Sequence, residues 1–275
     1  WNTAFNLLIM LPHRIVTTYV LLAIPMFLFF GYMAERTGIT TGTYTAAQKW
    51  FGRLPAGLAV STAVSAGGFA AASGSSISAC AIFGRIAIPE MRRVGYDKKF
   101  SMGTVAASGL LASTIPPSLM LVLYGMLSET SVIKLFTAGI VPGIGQMLVI
   151  IITIFVLYKL RPNYFPSGVR ASWKEKFQSI LGIWPLASVA FAILASIYMG
   201  IATVTESSAA GAFVALMIVI IQKKASIRLI VEAAAKTCVT TTMILSILVG
   251  GLIFSTYIGL TEIAPSLVSL IASLP

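Results

Sequence analysis

The chain has 275 residues, of which 57% are hydrophobic and only 10% charged, with a mean hydropathy of +0.94. Such a mix excludes an ordinary soluble domain and makes a bilayer the solvent to assume. The net charge of +11 lies in short basic blocks between apolar runs, which is a topological signal and argues against a nucleic-acid partner.

No signal peptide precedes the first apolar residues and the chain does not begin with Met, so it reads as a fragment. Ile15 to Met33 is the first predicted span, with a kink expected at Pro25. Glu35 to Arg53 is amphipathic and is expected along the cytoplasmic surface, ending with Trp50 and Phe51 at headgroup level. Pro55 to Pro89 is then apolar for roughly twice the ~20 residues that a transmembrane helix needs. Its middle is interrupted by Ala71-Ala72-Ser73-Gly74-Ser75-Ser76-Ile77-Ser78. Lys49 and Arg53 precede it, and Arg85, Arg92, Arg93, Lys98 and Lys99 follow, so both ends belong on one face. A segment with both ends on one face cannot span. It reads as a re-entrant hairpin whose polar tip lies inside the membrane. Alone, Ser-Gly-Ser-Ser also fits a small-residue packing face; the basic flanks and the prolines that follow favour the hairpin.

Ser101 to Leu127 is apolar again but is cut by Ser113-Thr114-Ile115-Pro116-Pro117-Ser118. Two prolines remove two backbone donors and disfavour helix at Ile115, predicting two half-helices with an unwound middle, the second half carrying proline in its first turn. A simple kink is the plainer alternative. Leu135 to Tyr158 returns across the membrane with a bend expected at Pro142-Gly143, and Lys159 to Lys176 forms a polar cytoplasmic loop. Ile180 to Gly200 goes out, Thr203-Val204-Thr205-Glu206-Ser207-Ser208 intervenes, and Ala209 to Ile221 comes back to a basic loop over Gln222 to Lys236. Cys238 to Leu260 crosses outward, and Ala264 to Pro275 begins a further element. Parity supports this order, because the hairpin flanks and both later basic loops then share one face. Cys80 and Cys238 sit in apolar runs and are expected as buried free thiols. His13 has no neighbours suited to a metal site.

A hairpin tip and a broken helix interrupted at membrane depth are the parts from which secondary transporters build binding sites. The second arm is expected to begin near Ser75 or Ser76 and the second half-helix near Pro116, so two helix N-termini offer N–H groups and positive dipole ends to an anion. Carbonyls of Ser113 to Ile115, with hydroxyls of Ser73, Ser75, Ser76 and Thr114, are neutral oxygens suited to a hard monovalent cation. Between Ala56 and Pro89, and between Ser101 and Ser128, no Asp, Glu, His or Lys occurs. Sodium is therefore the expected coupling ion rather than a proton. Glu206 is the exception, either an ion group or part of a short outer loop.

The residues Phe69 to Ala79, Pro89-Glu90-Met91, Gly95-Tyr96, Ile115-Pro116-Pro117-Ser118 and Leu135 to Gly143, with Ile24-Pro25-Met26-Phe27 and Gly31 upstream, resemble the large membrane subunit of tripartite ATP-independent periplasmic (TRAP) transporters. The resemblance implies an all-α polytopic membrane protein with the elevator fold of the ion-transporter superfamily, here one full half plus part of the second inverted repeat. It implies import of a carboxylate, such as an organic acid or acidic sugar, with sodium, in the inner membrane of a bacterial or archaeal cell. Implied partners are a small membrane subunit and a periplasmic substrate-binding protein. Substrate would touch Ser73, Gly74, Ser75, Ser76, Pro116, Pro117 and Ser118, and sodium would touch Ser73, Ser75, Ser76, Ser113, Thr114 and Ile115, with Thr203, Thr205 and Glu206 as a further set. The family's Thr-Pro-Thr-Glu is here Thr203-Val204-Thr205-Glu206, and its chain is longer at both ends.

On this reading residues 1–53 are a scaffold span with a cytoplasmic arm, 54–128 the transport unit, 129–178 a scaffold span with its loop, and 179–275 the start of a second repeat. No organic cofactor and no enzymatic step are expected. An intramembrane serine protease would need a His or Lys base at membrane depth, which the sequence does not offer. A stand-alone sodium–carboxylate symporter of the same superfamily, and an uncoupled channel or scaffold subunit, are the alternatives.

Overall fold

The computed structural model describes residues 2–165, 171–261 and 272. Its first helix, α1 (Asn2–Val16), is closed by a pair of threonines. Thr17 Oγ1 donates to the His13 carbonyl at 2.8 Å, and Thr18 Oγ1 to the Arg14 carbonyl at 2.7 Å. These bonds satisfy orphan carbonyls at the helix end. A single 3-10 turn over Tyr19–Leu22 then leads into α2 (Ala23–Thr37), so the span runs from Tyr19 to Thr37 rather than from Ile15 to Met33. Pro25 falls in the first turn of α2, where its missing N–H has no helical acceptor to lose, and the expected mid-span kink is absent. Gly38, at φ +71°, turns the chain into α3 (Ile39–Phe51). Helix α3 does not lie alone on a surface: Thr40, Tyr44 and Ala46 are buried, while Thr41, Thr45 and Trp50 open outward.

The hairpin is present. Helices α4 (Gly57–Ser73) and α5 (Ser76–Val94) meet at Gly74 and Ser75, a few residues wider at the base than Pro55 to Pro89 because α5 runs on through Pro89 to Gly95. At 1.5 Å per residue α4 is about 26 Å long, short of a ~30 Å hydrocarbon core. Nearly all of it is buried, as a helix enclosed by protein on every side requires. Both ends return to one place, since Leu58 at the start of α4 and Tyr96 just past α5 belong to one apolar cluster.

Asp97 starts α6 (Lys98–Gly109), its carboxylate accepting from Phe100 N–H at 2.9 Å. One turn, α7 (Leu111–Thr114), precedes the break, and α8 (Leu119–Leu127) follows it at 45° to the first part. The Pro116–Pro117 peptide is cis, and both prolines lie before α8 rather than in its first turn, which Ser118 opens. Helix α9 (Val132–Leu160) is one continuous helix with Pro142 inside it. A proline in a membrane helix is tolerated where neighbours take up the freed backbone groups, so the sequence signal for a bend does not hold here. Helix α9 packs on α4, α7 and α8.

The rest of the chain is α10 (Trp173–Ile180), bent by 45° into α11 (Trp184–Tyr198), then α12 (Val204–Ile221) and α13 (Ile227–Leu260). Helix α12 begins at Val204, not Ala209. Its small residues let α11 come close, so that a Cβ at Gly211 would meet Ile193 Cδ1 at 2.5 Å. Helix α2 packs on both α12 and α13. Among the described residues four helices are long and apolar enough to cross a membrane, up to six if each bent pair is one span, and no strand occurs. Cys238 is exposed on α13 and Cys80 half-buried on α5, so the expectation of two buried thiols fails. A helix running through lipid puts apolar residues outward, and apolar context alone cannot separate that from a core. The element expected from Ala264 to Pro275 lies outside the described residues apart from Ala272.

The basic ends gather on one side. Lys224 Nζ donates to the Thr37 carbonyl at 2.7 Å, Arg36 pairs with Glu232 at 2.9 Å, and Trp50 Nε1 donates to the Lys176 carbonyl at 3.2 Å. The loop after α9 is not polar throughout: Phe165 is buried against Phe100, Tyr158 and Tyr96, with ring centroids 4.7, 5.6 and 5.8 Å away. Burial pushes the Tyr96 phenol up to about 12, against the pull of the Leu58 backbone. Below pH 10 both folded and unfolded chains keep this phenol protonated. Above it the unfolded chain ionises first, so the stability it contributes falls until the folded phenol also ionises near 12. Tyr96→Phe should therefore flatten the loss of melting temperature between these pH values, measured by intrinsic fluorescence in detergent.

Candidate functional site

Two chain reversals meet at the hairpin tip. Gly74 ends α4 at φ +60°, a conformation that glycine adopts without strain. Ser75 caps α5, its Oγ accepting from Ser78 N–H at 3.3 Å. Across the gap, Leu119 N–H at the head of α8 donates to the Gly74 carbonyl at 3.0 Å. A Cβ at Gly74 would lie 2.6 Å from the Pro117 carbonyl oxygen. The tip and the break are thus joined main chain to main chain.

The same join opens both helix heads onto one cavity of about 320 Å³, whose walls include Ser75, Ser76 and Ile77 from α5 and Leu119 and Met120 from α8. First-turn N–H groups have no intrahelical acceptor, and the positive ends of two helix dipoles converge there. Among the described residues no charged side chain lines the cavity, so the charge they favour there is set by backbone.

The expected residues divide into three groups. Ser73, Gly74, Ser75, Pro117 and Ser118 come together at the join, all buried, with Ser76 half-buried beside them and the buried Pro116 one residue further along the break. Ser113 and Thr114 lie just behind it: the Ser113 carbonyl accepts from Ser118 Oγ at 2.8 Å, and the Thr114 carbonyl abuts Gly139 of α9. Ile115 is wedged with its backbone against Gly143 and its side chain toward Gly67. The third group, Thr203, Thr205 and Glu206, forms the start of α12. Glu206 Oε2 accepts from Thr203 N–H and Thr203 Oγ1, both at 2.8 Å, while Thr203 Oγ1 accepts from Glu206 N–H, a capping box. Thr205 Oγ1 donates to the Tyr19 carbonyl at 3.2 Å.

One atom at the tip is left over. Ser73 Oγ is fully buried and has no hydrogen-bond partner among the described residues. Leaving such a hydroxyl unpaired costs about 1–3 kcal/mol, and a small hard cation would remove that penalty. Sequence reasoning missed the far wall of the cavity. Leu28 of α2 and Met243, Ile244 and Ile247 of α13 close it, and Gly31 lets α2 approach so that a Cβ there would meet Ser78 Oγ at 3.2 Å. A lone glycine in the bulky run from Phe27 to Tyr32 was the available signal.

A helical membrane protein with a re-entrant hairpin docked on a broken helix has the architecture of a secondary transporter's binding half. The sequence matches the family described as "Tripartite ATP-independent periplasmic transporter, DctM component" over residues 3–275. The chain belongs to this family, whose members are transport proteins and not enzymes. It is similar to the C4-dicarboxylate TRAP transporter large permease protein of Pseudomonas aeruginosa, 38% identical over 73% of this chain and 47% of that protein. It is also similar to the ectoine TRAP transporter large permease of Halomonas elongata, 31% identical over 88% of this chain and 57% of the relative. The sialic acid large permease of Vibrio cholerae is 27% identical over 87% of this chain and 56% of its own length. The chain thus spans about half the length of the curated relatives it matches.

Proposed function

We propose that this chain forms the first binding half of a sodium-coupled importer of carboxylates, served by a small membrane subunit and a periplasmic substrate-binding protein in the inner membrane of a bacterium or archaeon. The observation that carries the reading is the cavity onto which the heads of α5 and α8 both open, lined by no charged side chain among the described residues. Two dipole ends there suit a carboxylate. The unpartnered Ser73 hydroxyl beside them suits sodium, travelling as a second substrate. The named substrates of the three relatives, a C4-dicarboxylate, ectoine and sialic acid, all carry a carboxylate group. In an elevator cycle the hairpin, the broken span and α9 would move as one block, since they pack on one another.

The test is uptake of a carboxylate panel into proteoliposomes holding the complete subunit and its small partner, with and without the binding protein, under sodium or potassium gradients. Uptake that needs both sodium and the binding protein is expected. Ser73→Ala should raise the sodium concentration for half-maximal uptake by about tenfold, the effect of losing one ligand hydroxyl. Sodium-driven uptake without the binding protein would assign the chain to a stand-alone symporter, and gradient-independent flux would overturn coupled transport.

A further inference from the structure

The same three helices line both the tip cavity and a second cavity further along them. Helix α5 supplies Ile77 to the first and Ala81 and Arg85 to the second, at the i, i+4, i+8 spacing of a single helix face. Helix α2 supplies Leu28, Tyr32 and Glu35. Running the other way, α13 supplies Ile247, Met243, Thr240 and Lys236. The tip end is apolar. About 12 Å further along α5 lies the second cavity, of about 420 Å³, whose polar groups are Arg85, Lys236, Glu35, Tyr32 and Thr240. It lies toward the basic face, since Arg92 and Arg93 end α5 beyond Arg85, and Lys236 stands in the part of α13 that follows the basic connection carrying Lys223 and Lys224.

We propose that Arg85 and Lys236 form a second anion subsite, where the substrate carboxylate halts between the tip and the basic face of the membrane. The path of the substrate rests on the transport reading above. Arg85 is 71% exposed yet its Nη1 donates to Glu35 Oε1 at 2.6 Å, while the Glu35 side chain is only 7% exposed. Glu35 therefore occupies Arg85 when no other carboxylate does. Lys236 Nζ stands 5.6 Å over the Tyr32 ring, and among the described residues no carboxylate lies within ion-pair distance of it. The Tyr32 hydroxyl is held by Thr240 Oγ1 at 2.6 Å, fixing the ring under the ammonium. Two cations against one carboxylate leave a net positive vestibule. An arriving carboxylate exchanges for Glu35 on Arg85, loosening the only ion pair among the described residues that ties α2 to the hairpin.

The experiment is thiol labelling of a cysteine placed in the vestibule, Val239→Cys, in the complete subunit with its small partner and with Cys80 and Cys238 replaced by serine. Anionic methanethiosulfonate ethylsulfonate should react about tenfold faster than its trimethylammonium counterpart, as a focused positive potential requires. Adding Arg85→Gln should remove most of that preference, and Glu35→Gln should increase it. A purely structural ion pair would move both variants the same way, which would overturn the proposal, as would equal rates for the two reagents or an unreactive cysteine. Labelling needs no transport. Sodium-driven uptake without an anion preference therefore defeats the subsite alone, whereas an anion preference without such uptake defeats the transport reading.

Discussion

Gly74→Val should reduce uptake by about a hundredfold while the protein still folds and inserts. Position 74 sits at φ +60°, where a β-branched residue is strained, and its Cβ would stand 2.6 Å from the Pro117 carbonyl oxygen. Main chain cannot move aside as a long side chain can. The tip must separate from the head of α8, breaking the bond from Leu119 N–H to the Gly74 carbonyl and spreading the two dipole ends. A displacement of ~1 Å at such a site costs about two orders of magnitude in rate. Gly68→Val is the control, because a Cβ there meets nothing within 4 Å. Uptake rates and melting temperatures of the two variants settle the matter: equal rates would mean that the join is not needed.

Gly139→Leu should lower the melting temperature and impair transport together. Helix α9 presents Gly139 and Gly143 one turn apart. A Cβ on the first would lie 2.8 Å from the Thr114 carbonyl oxygen, and on the second 2.8 Å from Ile115 Cγ1. These glycines seat the unwound backbone of the break directly on a helix, in the manner of small-residue helix contacts in membranes. Overpacking such a seat destabilises by about 1–3 kcal/mol. Gly145→Leu on the same helix, with nothing near its Cβ, should leave the melting temperature within a degree or two of the parent. If both leucine variants melt alike, the seat carries no load.

The sequence made the hairpin and the break legible for definite reasons. Basic residues at both ends of a doubly long apolar run force a reversal, and Pro116-Pro117 cannot sit in a helix interior. The head of α5 was readable because Ser75 precedes it, whereas that of α8 was placed at Pro116 when the helix begins after Ser118. Pro142 misled, since the same residue that breaks one span is absorbed in another, and only the neighbours decide. The partner of α9 was hidden because two glycines a turn apart declare a close contact without naming what comes close. Phe165 was hidden for a related reason. An aromatic in a polar loop has no period, and its burial depends on Phe100 and Tyr96, 65 and 69 residues earlier in the chain. At Thr203 to Glu206 the residues were noticed, but the spacing from Thr203 to Glu206 was not recognised as a helix start, so α12 was begun five residues late.

The bond between the Gly74 carbonyl and Leu119 N–H uses no side chain at all. As long as position 74 remains glycine, mutation elsewhere can rewrite the lining of the cavity without disturbing the hinge pin that aligns the two helix heads. On the proposed reading, selectivity and alignment are in this sense inherited separately. Engineers seeking a new cargo can randomise Ile77, Met120 and Met243 freely while holding Gly74 and Pro117 fixed, and most members of such a library should retain the parental geometry at the tip.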